Sequence, residues 1–378
     1  MSTIMAQSEE LQQIRELARE FATGELRPHV ERWDHERALD PAVLDHLAEL
    51  GFFGMRVPER WGGMEFGLPT YLAALEELAW GEPSVALTLS IHSAFAVGLL
   101  LGHGTDAQKD AWLPRLASGE ARACLALSEE EAGSDLAAAR TRARRDGDDW
   151  ILSGAKKWVT NGRTATLALV LARLEEDGPG GRASFGLFLV PTDSDGWTVG
   201  KRETTMGLRP VEVVEVALEE LRLPGDVLLG AEGRGLALAL EGLDTGRLGI
   251  AAQAVGIARA ALEHARGYAA ERRQFDTALK DFEGIQFKLA DMATGVEAAR
   301  ALLMRAAADP STSSAAMAKL FASETAMRVT TEAVQIYGGY GYMRDYPVEK
   351  LMRDAKATEI YEGTSEIQRV VIARELYR

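Results

Sequence analysis

The sequence holds a single cysteine, Cys124, in 378 residues, so no internal disulfide can form and no thiolate pair is available to hold a metal. A reducing compartment suits such a chain, and a cytoplasmic location is expected. Its six histidines show no metal-ligand spacing; His92 and His103 read as packing or surface residues. A basic excess is missing too. The 42 Lys and Arg stand against 57 Asp and Glu, a net charge of −15, which argues against nucleic acid as a partner. The first twenty residues carry Glu9, Glu10, Glu16 and Glu20 and no long apolar run, unlike a targeting leader. Elsewhere the apolar segments are short or interrupted by glycine and polar residues, so no membrane span is expected.

What is present is an ordinary globular composition, 47% hydrophobic and 26% charged, in a chain long enough for two or three domains. Leu11, Ile14, Leu17, Ala18 and Phe21 recur at helical spacing. Asp40-Pro41 followed by Val43, Leu44, Leu47, Leu50 and Gly51 predicts a helix with an aspartate N-cap, a first-turn proline and a closing glycine. Segments 72–78 and 85–101 continue this texture, giving a helical domain over 1–122. From Cys124 short apolar and β-branched runs alternate with turn chemistry, as in Arg145-Asp146-Gly147-Asp148 before Trp150-Ile151-Leu152. Further strands are predicted at 165–172, 185–190 and 211–216, with a loop at 177–181. Nothing between them is long enough for crossover helices, so the β domain, 123–229, is expected to be antiparallel. Ala-rich helical segments at 234–271, 281–307 and 312–337 and two shorter helices at 348–358 and 365–376 form a C-terminal bundle over 230–378.

Four segments carry possible chemistry. Leu127-Ser128-Glu129-Glu130-Glu131-Ala132-Gly133-Ser134-Asp135 leaves a strand into a turn whose amides and hydroxyls can grip a polar ring edge or phosphate; a solvated acidic turn is the bland alternative. Trp158 lies two residues before Thr160 in Lys156-Lys157-Trp158-Val159-Thr160-Asn161-Gly162, the same face of a strand, where a planar heterocycle could stack; a core-filling Trp explains it equally well. Gln335-Ile336-Tyr337-Gly338-Gly339-Tyr340-Gly341 closes a helix with glycines that permit close backbone approach, and it does not match the Gly-x-Gly-x-x-Gly dinucleotide pattern. Tyr361-Glu362-Gly363-Thr364-Ser365-Glu366-Ile367-Gln368-Arg369 reads as a turn into a capped last helix, with Glu362 either a base or a surface carboxylate near a helix N-terminus.

In order and spacing these segments, with Pro58-Glu59-Arg60-Trp61-Gly62-Gly63, Arg272-Arg273-Gln274-Phe275 and Tyr346-Pro347-Val348-Glu349-Lys350, resemble the acyl-CoA dehydrogenases over nearly the whole chain. The resemblance implies an α+β multi-domain fold: an N-terminal helical domain, a middle β domain and a C-terminal four-helix bundle, in a homotetramer that binds FAD. It assigns Leu127, Ser128, Trp158 and Thr160 to the flavin ring, and Gly133 and Ser134 to the cofactor and thioester arm. Arg272, Phe275, Gln335, Gly338 and Gly339 would meet the pyrophosphate and adenosine across a subunit interface, and Thr364 and Glu366 would complete the cofactor site. Glu362 corresponds to the base that takes the α-proton of an acyl-CoA while the β-hydride passes to flavin. Gly363, Ser134, Asp244 and Arg247 fall on the substrate side. One branch of the family keeps its base immediately before that Arg; here the position is Gly246, which favours Glu362.

Some positions depart from the family pattern. Glu130 stands for a usual Pro, Asp276 for a Gly and Glu283 for a Gln, and Pro210-Val211-Glu212-Val213 lacks a Ser/Thr cluster. The implied activity is α,β-dehydrogenation with electrons passed to electron-transferring flavoprotein. An acyl-CoA oxidase would use the same groups with O2, but oxidases of this fold commonly append a further helical domain. A non-catalytic acyl-CoA or flavin-binding paralogue would not need Glu362. Acyl length stays open, with Leu89, Phe95 and Leu99 hinting at a short, branched or medium chain.

Overall fold

The computed structural model describes residues 2–176, 178, 181 and 183–377, with side chains from residue 9 onward. Of the loop expected at 177–181, Asp177, Pro179 and Gly180 lie outside the described residues.

The chain opens with α1 (Ser2–Phe21), α2 (Val30–Glu36), α3 (Pro41–Glu49) and α4 (Leu68–Gly81). The stripe Ala18 and Phe21 of α1 and Val43 and Leu47 of α3 is buried, as the spacing requires. Asp40 precedes α3 in extended conformation but caps nothing; its carboxylate turns instead to the Arg32 guanidinium. A charge-assisted fork outcompetes a single amide donor.

The apolar stretch is one continuous helical run, contrary to the expectation of interrupted segments: α5 (Pro83–Leu89), a π-helical passage Ser90–Val97, and α6 (Gly98–His103). By length and composition Pro83–His103 is sufficient to cross a membrane, yet most of it lies buried inside the molecule. Gly98, which follows the π passage and opens α6, does not break the run. After α7 (Asp106–Ala117), capped by Thr105, the chain enters the sheet.

β1 (Ala123–Ala126), β2 (Arg142–Asp146), β3 (Asp149–Thr160), β4 (Leu167–Leu174), β5 (Phe185–Pro191), β6 (Trp197–Arg202) and β7 (Val213–Leu223) form one sheet. It is mixed rather than antiparallel throughout. β4 pairs antiparallel with β5 but parallel with β1, Ala123 opposite Leu167, and parallel with the start of β2. The β2–β3 hairpin itself spans the β1-to-β4 connection, so no crossover helix is needed.

The rest is α8 (Gly235–Glu271), a small hairpin of β8 (Arg273–Gln274) and β9 (Thr277–Ala278), α9 (Glu283–Ala308), α10 (Thr312–Tyr337), α11 (Pro347–Thr358) and α12 (Ser365–Glu375). At 1.5 Å per residue α8 is about 55 Å long, and it packs against α4, α9, α10 and α11 as well as β5. Its small residues let partners approach: a Cβ on Gly256 would strike the Glu76 carbonyl of α4, and one on Gly242 would come within 3.0 Å of the Phe95 ring. A single apolar core therefore runs from α1 and α4 through α8 to α9, α10 and α11, and each fully buried Leu or Phe in it contributes roughly 1.5–3 kcal/mol.

Candidate active site

Between α11 and α12 the chain turns through Tyr361-Glu362-Gly363, after which Thr364 caps α12 by accepting from the Ile367 N–H at 3.3 Å. The turn uses two left-handed residues, Glu362 at φ 51° and Gly363 at 91°. Glycine adopts this freely, whereas a glutamate there costs roughly 1–2 kcal/mol and must be held by its surroundings. Three side chains hold it. Lys319 Nζ of α10 donates to the Gly363 carbonyl at 2.7 Å, and Gln368 Nε2 donates to the same oxygen at 2.8 Å. On the other side the Tyr361 hydroxyl donates to Gln253 Oε1 of α8 at 2.5 Å.

Both carboxylate oxygens of Glu362 are sealed from solvent and have no hydrogen-bond partner among the described residues, although the residue as a whole is partly accessible. Burial pushes this carboxyl up to about 7, against the opposing pull of Lys319 and then Arg247. Among the described residues the Glu362 backbone N–H meets no acceptor. The carboxyl lies over Gly246 of α8, where a Cβ would fall 2.9 Å from Glu362 Cδ. Arg247, next along α8, is buried and donates to Asp244 Oδ1 at 2.6 Å; Thr312 donates to the other Asp244 oxygen at 2.6 Å. Asp244 is thus committed within the chain, and the Arg247 Nε remains unbonded. Beside the turn, Leu87 and Ile91 of the buried helix, Leu208, Val211 and Ile250 form an apolar cluster against Tyr361.

A second group lies on the sheet. Leu127 is buried and its carbonyl accepts from Lys156 Nζ at 3.1 Å, while the Ser128 carbonyl accepts from the Lys157 N–H at 2.9 Å. Glu129 is no solvated turn residue. It is buried, accepts from Lys156 Nζ at 2.7 Å and from the amides of Arg140 and Thr141 at 2.6 and 3.0 Å. Burial opposes its charge, but Lys156 and these donors hold the carboxyl below its usual value. Glu130, the departure beside it, projects outward toward Lys157. Gly133 and Ser134 follow on an exposed turn, and a Cβ on Gly133 would meet open space.

The β3–β7 register shifts between Lys156 and Val159, and Trp158 sits in that bulge at φ 58° with half its surface exposed. A bulge re-aims a side chain; past it Trp158 is exposed, Val159 buried and Thr160 half-buried, so the core-filling reading of Trp158 fails. Thr160 pairs with Val213. Glu212 of the departing segment accepts from the Arg163 and Thr164 amides at 2.8 and 3.1 Å, and Val211 joins the apolar cluster.

The third group is elsewhere. Arg272, Gly338 and Gly339 line a cleft of about 550 Å³ with Tyr268 and Tyr340. Gln335 lies exposed on the last turn of α10. Phe275 forms the tip of the β8–β9 hairpin, 91% exposed, with Phe275 and Asp276 both left-handed at φ 52° and 60°. Aspartate tolerates that region, which is how the hairpin forms without the expected Gly. Glu283 is the first residue of α9, where its charge suits the helix N-terminus. Arg272, the extended residue that ends α8, follows Gly246 by twenty-six residues, about 39 Å at 1.5 Å each. The structure therefore brings Glu362, Gly363, Asp244 and Arg247 together, sets Thr364 and Glu366 directly after them, and leaves the Arg272 group remote.

Motif reading alone passed over Lys319, Gln253, Gln368, Lys156 and the pairing of Glu129. A lysine and two amides with no local charge pattern give no signal in one sequence.

Models of the acyl-CoA dehydrogenase N-terminal, middle and C-terminal domains match residues 8–120, 124–221 and 233–377. The short-chain specific acyl-CoA dehydrogenase of Bos taurus mitochondria is 44% identical over 97% of this chain and 90% of that protein. Butyryl-CoA dehydrogenase from Megasphaera elsdenii superposes with a TM-score of 0.95 at 40% identity, covering 98% of both chains. A structure of electron transferring flavoprotein of Acidaminococcus fermentans contains a chain 41% identical, TM-score 0.94, covering 98% of both. Glutaryl-CoA dehydrogenase from Mycobacterium smegmatis in complex with FADH2 follows at 32% identity and 0.91, covering 97% and 94%.

Proposed function

This chain belongs to the acyl-CoA dehydrogenase family, a family of oxidoreductases, and on that premise we propose that it oxidises a short saturated acyl-CoA across the α,β bond with Glu362 as base. The observation that carries the reading is the Glu362 carboxyl, unbonded at both oxygens and raised to about 7. Such a base is partly ionised near neutrality and is matched to a weakly acidic carbon better than a solvated carboxylate is. As an oxygen of Glu362 takes the α-proton, negative charge gathers on the thioester oxygen. The unused Glu362 N–H is a donor on the same turn, held rigid by Lys319 and Gln368. Leu87, Ile91 and Val211 exclude water from the reacting carbon.

The family uses FAD, and the residues here suit it. Trp158 presents a bare aromatic face on a strained bulge, and a Cβ on Gly338 or Gly339 would enter open space beside Arg272. Bound FAD supplies the acceptor for the β-hydride. Leu127, Ser128, Trp158, Thr160, Thr364 and Glu366 would hold its ring end, with Gly133 and Ser134 toward the thioester arm. Arg272 and Phe275 follow the far end of α8, and Gln335, Gly338 and Gly339 close α10 beside them; this remoteness from Glu362 supports their serving a cofactor bound by a neighbouring copy in a homotetramer.

A short acyl group is supported by the names of the bovine and Megasphaera relatives and by the fully buried Phe95 ring wedged against Gly242 and beside Leu99. Likeness to a chain in the Acidaminococcus structure supports electron-transferring flavoprotein as the acceptor. The test is anaerobic bleaching of the flavin by butyryl-CoA against palmitoyl-CoA. Glu362→Gln should bind FAD and reduce it at least about 10²-fold more slowly; wild-type reduction by this variant removes Glu362 from the mechanism.

A further inference from the structure

Two buried cations sit near Glu362, and they differ in what neutralises them. Arg247 is paired with Asp244 on its own helix. Lys319 is wholly buried on α10 and among the described residues donates only to the Gly363 carbonyl, while neither Glu362 oxygen takes a hydrogen bond from any of them. A neutral donor would satisfy a carbonyl at far less desolvation cost than an ammonium ion. We propose that Lys319 is the positioning residue of the base, clamping the carbonyl that follows Glu362 and holding its carboxylate ionised through an unneutralised buried charge. This rests on Glu362 being the base.

The groups facing Glu362 come from every packed element: Lys319 from α10, Arg247 from α8, the Tyr71 hydroxyl from α4, which donates to the Leu89 carbonyl at 3.2 Å, and the adjacent Tyr361 hydroxyl, tied to Gln253. Glu359 and Glu366 flank Lys319 from the two ends of the turn. Both hydroxyls are uncharged near neutrality, and Arg247 favours the ionised base too but is hydrogen-bonded to Asp244, so Lys319 is the stronger of the two cations acting on Glu362. Burial lowers Lys319 to about 8, with the Glu362 charge opposing that fall, and it therefore remains charged while Glu362 titrates.

Gln368 separates the two parts of the role, since it donates to the same carbonyl without charge. Lys319→Met in the FAD-loaded enzyme should move the acid limb of butyryl-CoA-dependent flavin reduction upward from near 7 by about one pH unit or more, a loss of about fivefold or more at pH 7 recovered at higher pH. Lys319→Arg should restore the wild-type midpoint. Gln368→Leu should slow reduction with no movement of the midpoint. Infrared difference titration of the substrate-free oxidised enzyme, each protein against its Glu362→Gln counterpart, reads the carboxyl directly and needs no turnover. Should Lys319→Met fail to fold, Lys319→Gln keeps a donor for Gly363 and is expected to show the same shift. An unmoved carboxyl midpoint in a folded, charge-free Lys319 variant overturns the proposal. Full reduction by Glu362→Gln overturns the base assignment instead, whatever Lys319 does.

Discussion

Gly246→Ala sets stability against function in one substitution. On the helix alone, alanine is favoured over glycine by about 1 kcal/mol. The added methyl carbon, however, would sit 2.9 Å from Glu362 Cδ and 3.3 Å from Oε1, and inside the contact radius of Oε2. The carboxyl is the end of a flexible side chain, so the cheapest relief is for it to retreat by about 1 Å, and a misplacement of that size at a reacting centre costs on the order of 10²-fold. The variant should therefore melt at or above the wild-type temperature, bind FAD normally, and reduce it about 100-fold more slowly with butyryl-CoA. Differential scanning fluorimetry and anaerobic stopped-flow absorbance measure the two quantities on one sample. A rate within threefold of wild type would show that the base does not work from over Gly246.

Glu362 also makes stability depend on pH. Its folded-state value near 7 lies above the ordinary 4.5, so the native state binds the extra proton. The stability this gives is complete below pH 4.5 and lost as pH rises through 7, about 3 kcal/mol in all. Glu362→Gln should thus melt higher than wild type at pH 8 and equally at pH 4.5; equal melting at both refutes the raised value. Trp158→Gly should stabilise the flavin-free protein by roughly 1 kcal/mol by relieving the left-handed strain, yet weaken FAD retention on dilution, whereas unchanged retention would remove Trp158 from the cofactor site. Lys350→Met, which strips the charge partner from Glu82 and Asp354 at 2.9 and 2.7 Å, should cost about 3–5 kcal/mol in urea titration, and a loss under 1 kcal/mol contradicts a tightly coupled pair.

Much of this could be read from residue spacing. The helical stripes of α1 and α3, the long helices α8 to α10, and the turn at Tyr361-Glu362-Gly363 follow from local periodicity and from glycine's backbone freedom. β6 went unpredicted because it exposes most of its residues and has no apolar alternation to detect. The parallel pairing of β1 with β4 joins residues forty-four apart and depends on where the intervening hairpin packs, which no local pattern encodes. The register shift in β3 between Lys156 and Val159, beside the half-exposed Trp158, depends on the pairing with β7 and has no local sequence signal. Lys319, Gln253 and Gln368 reach the turn from three helices, and only tertiary packing brings them there. The Arg272 group could be named by resemblance alone, while its distance from the base needed the length of α8.

Lys350 also bears on the order in which the chain acquires its form. Glu82 caps α5 through the Ser84 amide, Lys350 binds it from α11, and Asp354 reaches onward to the Leu208 amide of the sheet region at 2.6 Å. A ribosome releases Glu82 long before Lys350 exists, so the emerging helical half must carry an uncompensated acid where its interior will later close. A later stretch of the chain is thus what lets an earlier one settle, and trimming the chain before α11 should leave the earlier segments soluble at most as a loosened, protease-sensitive intermediate.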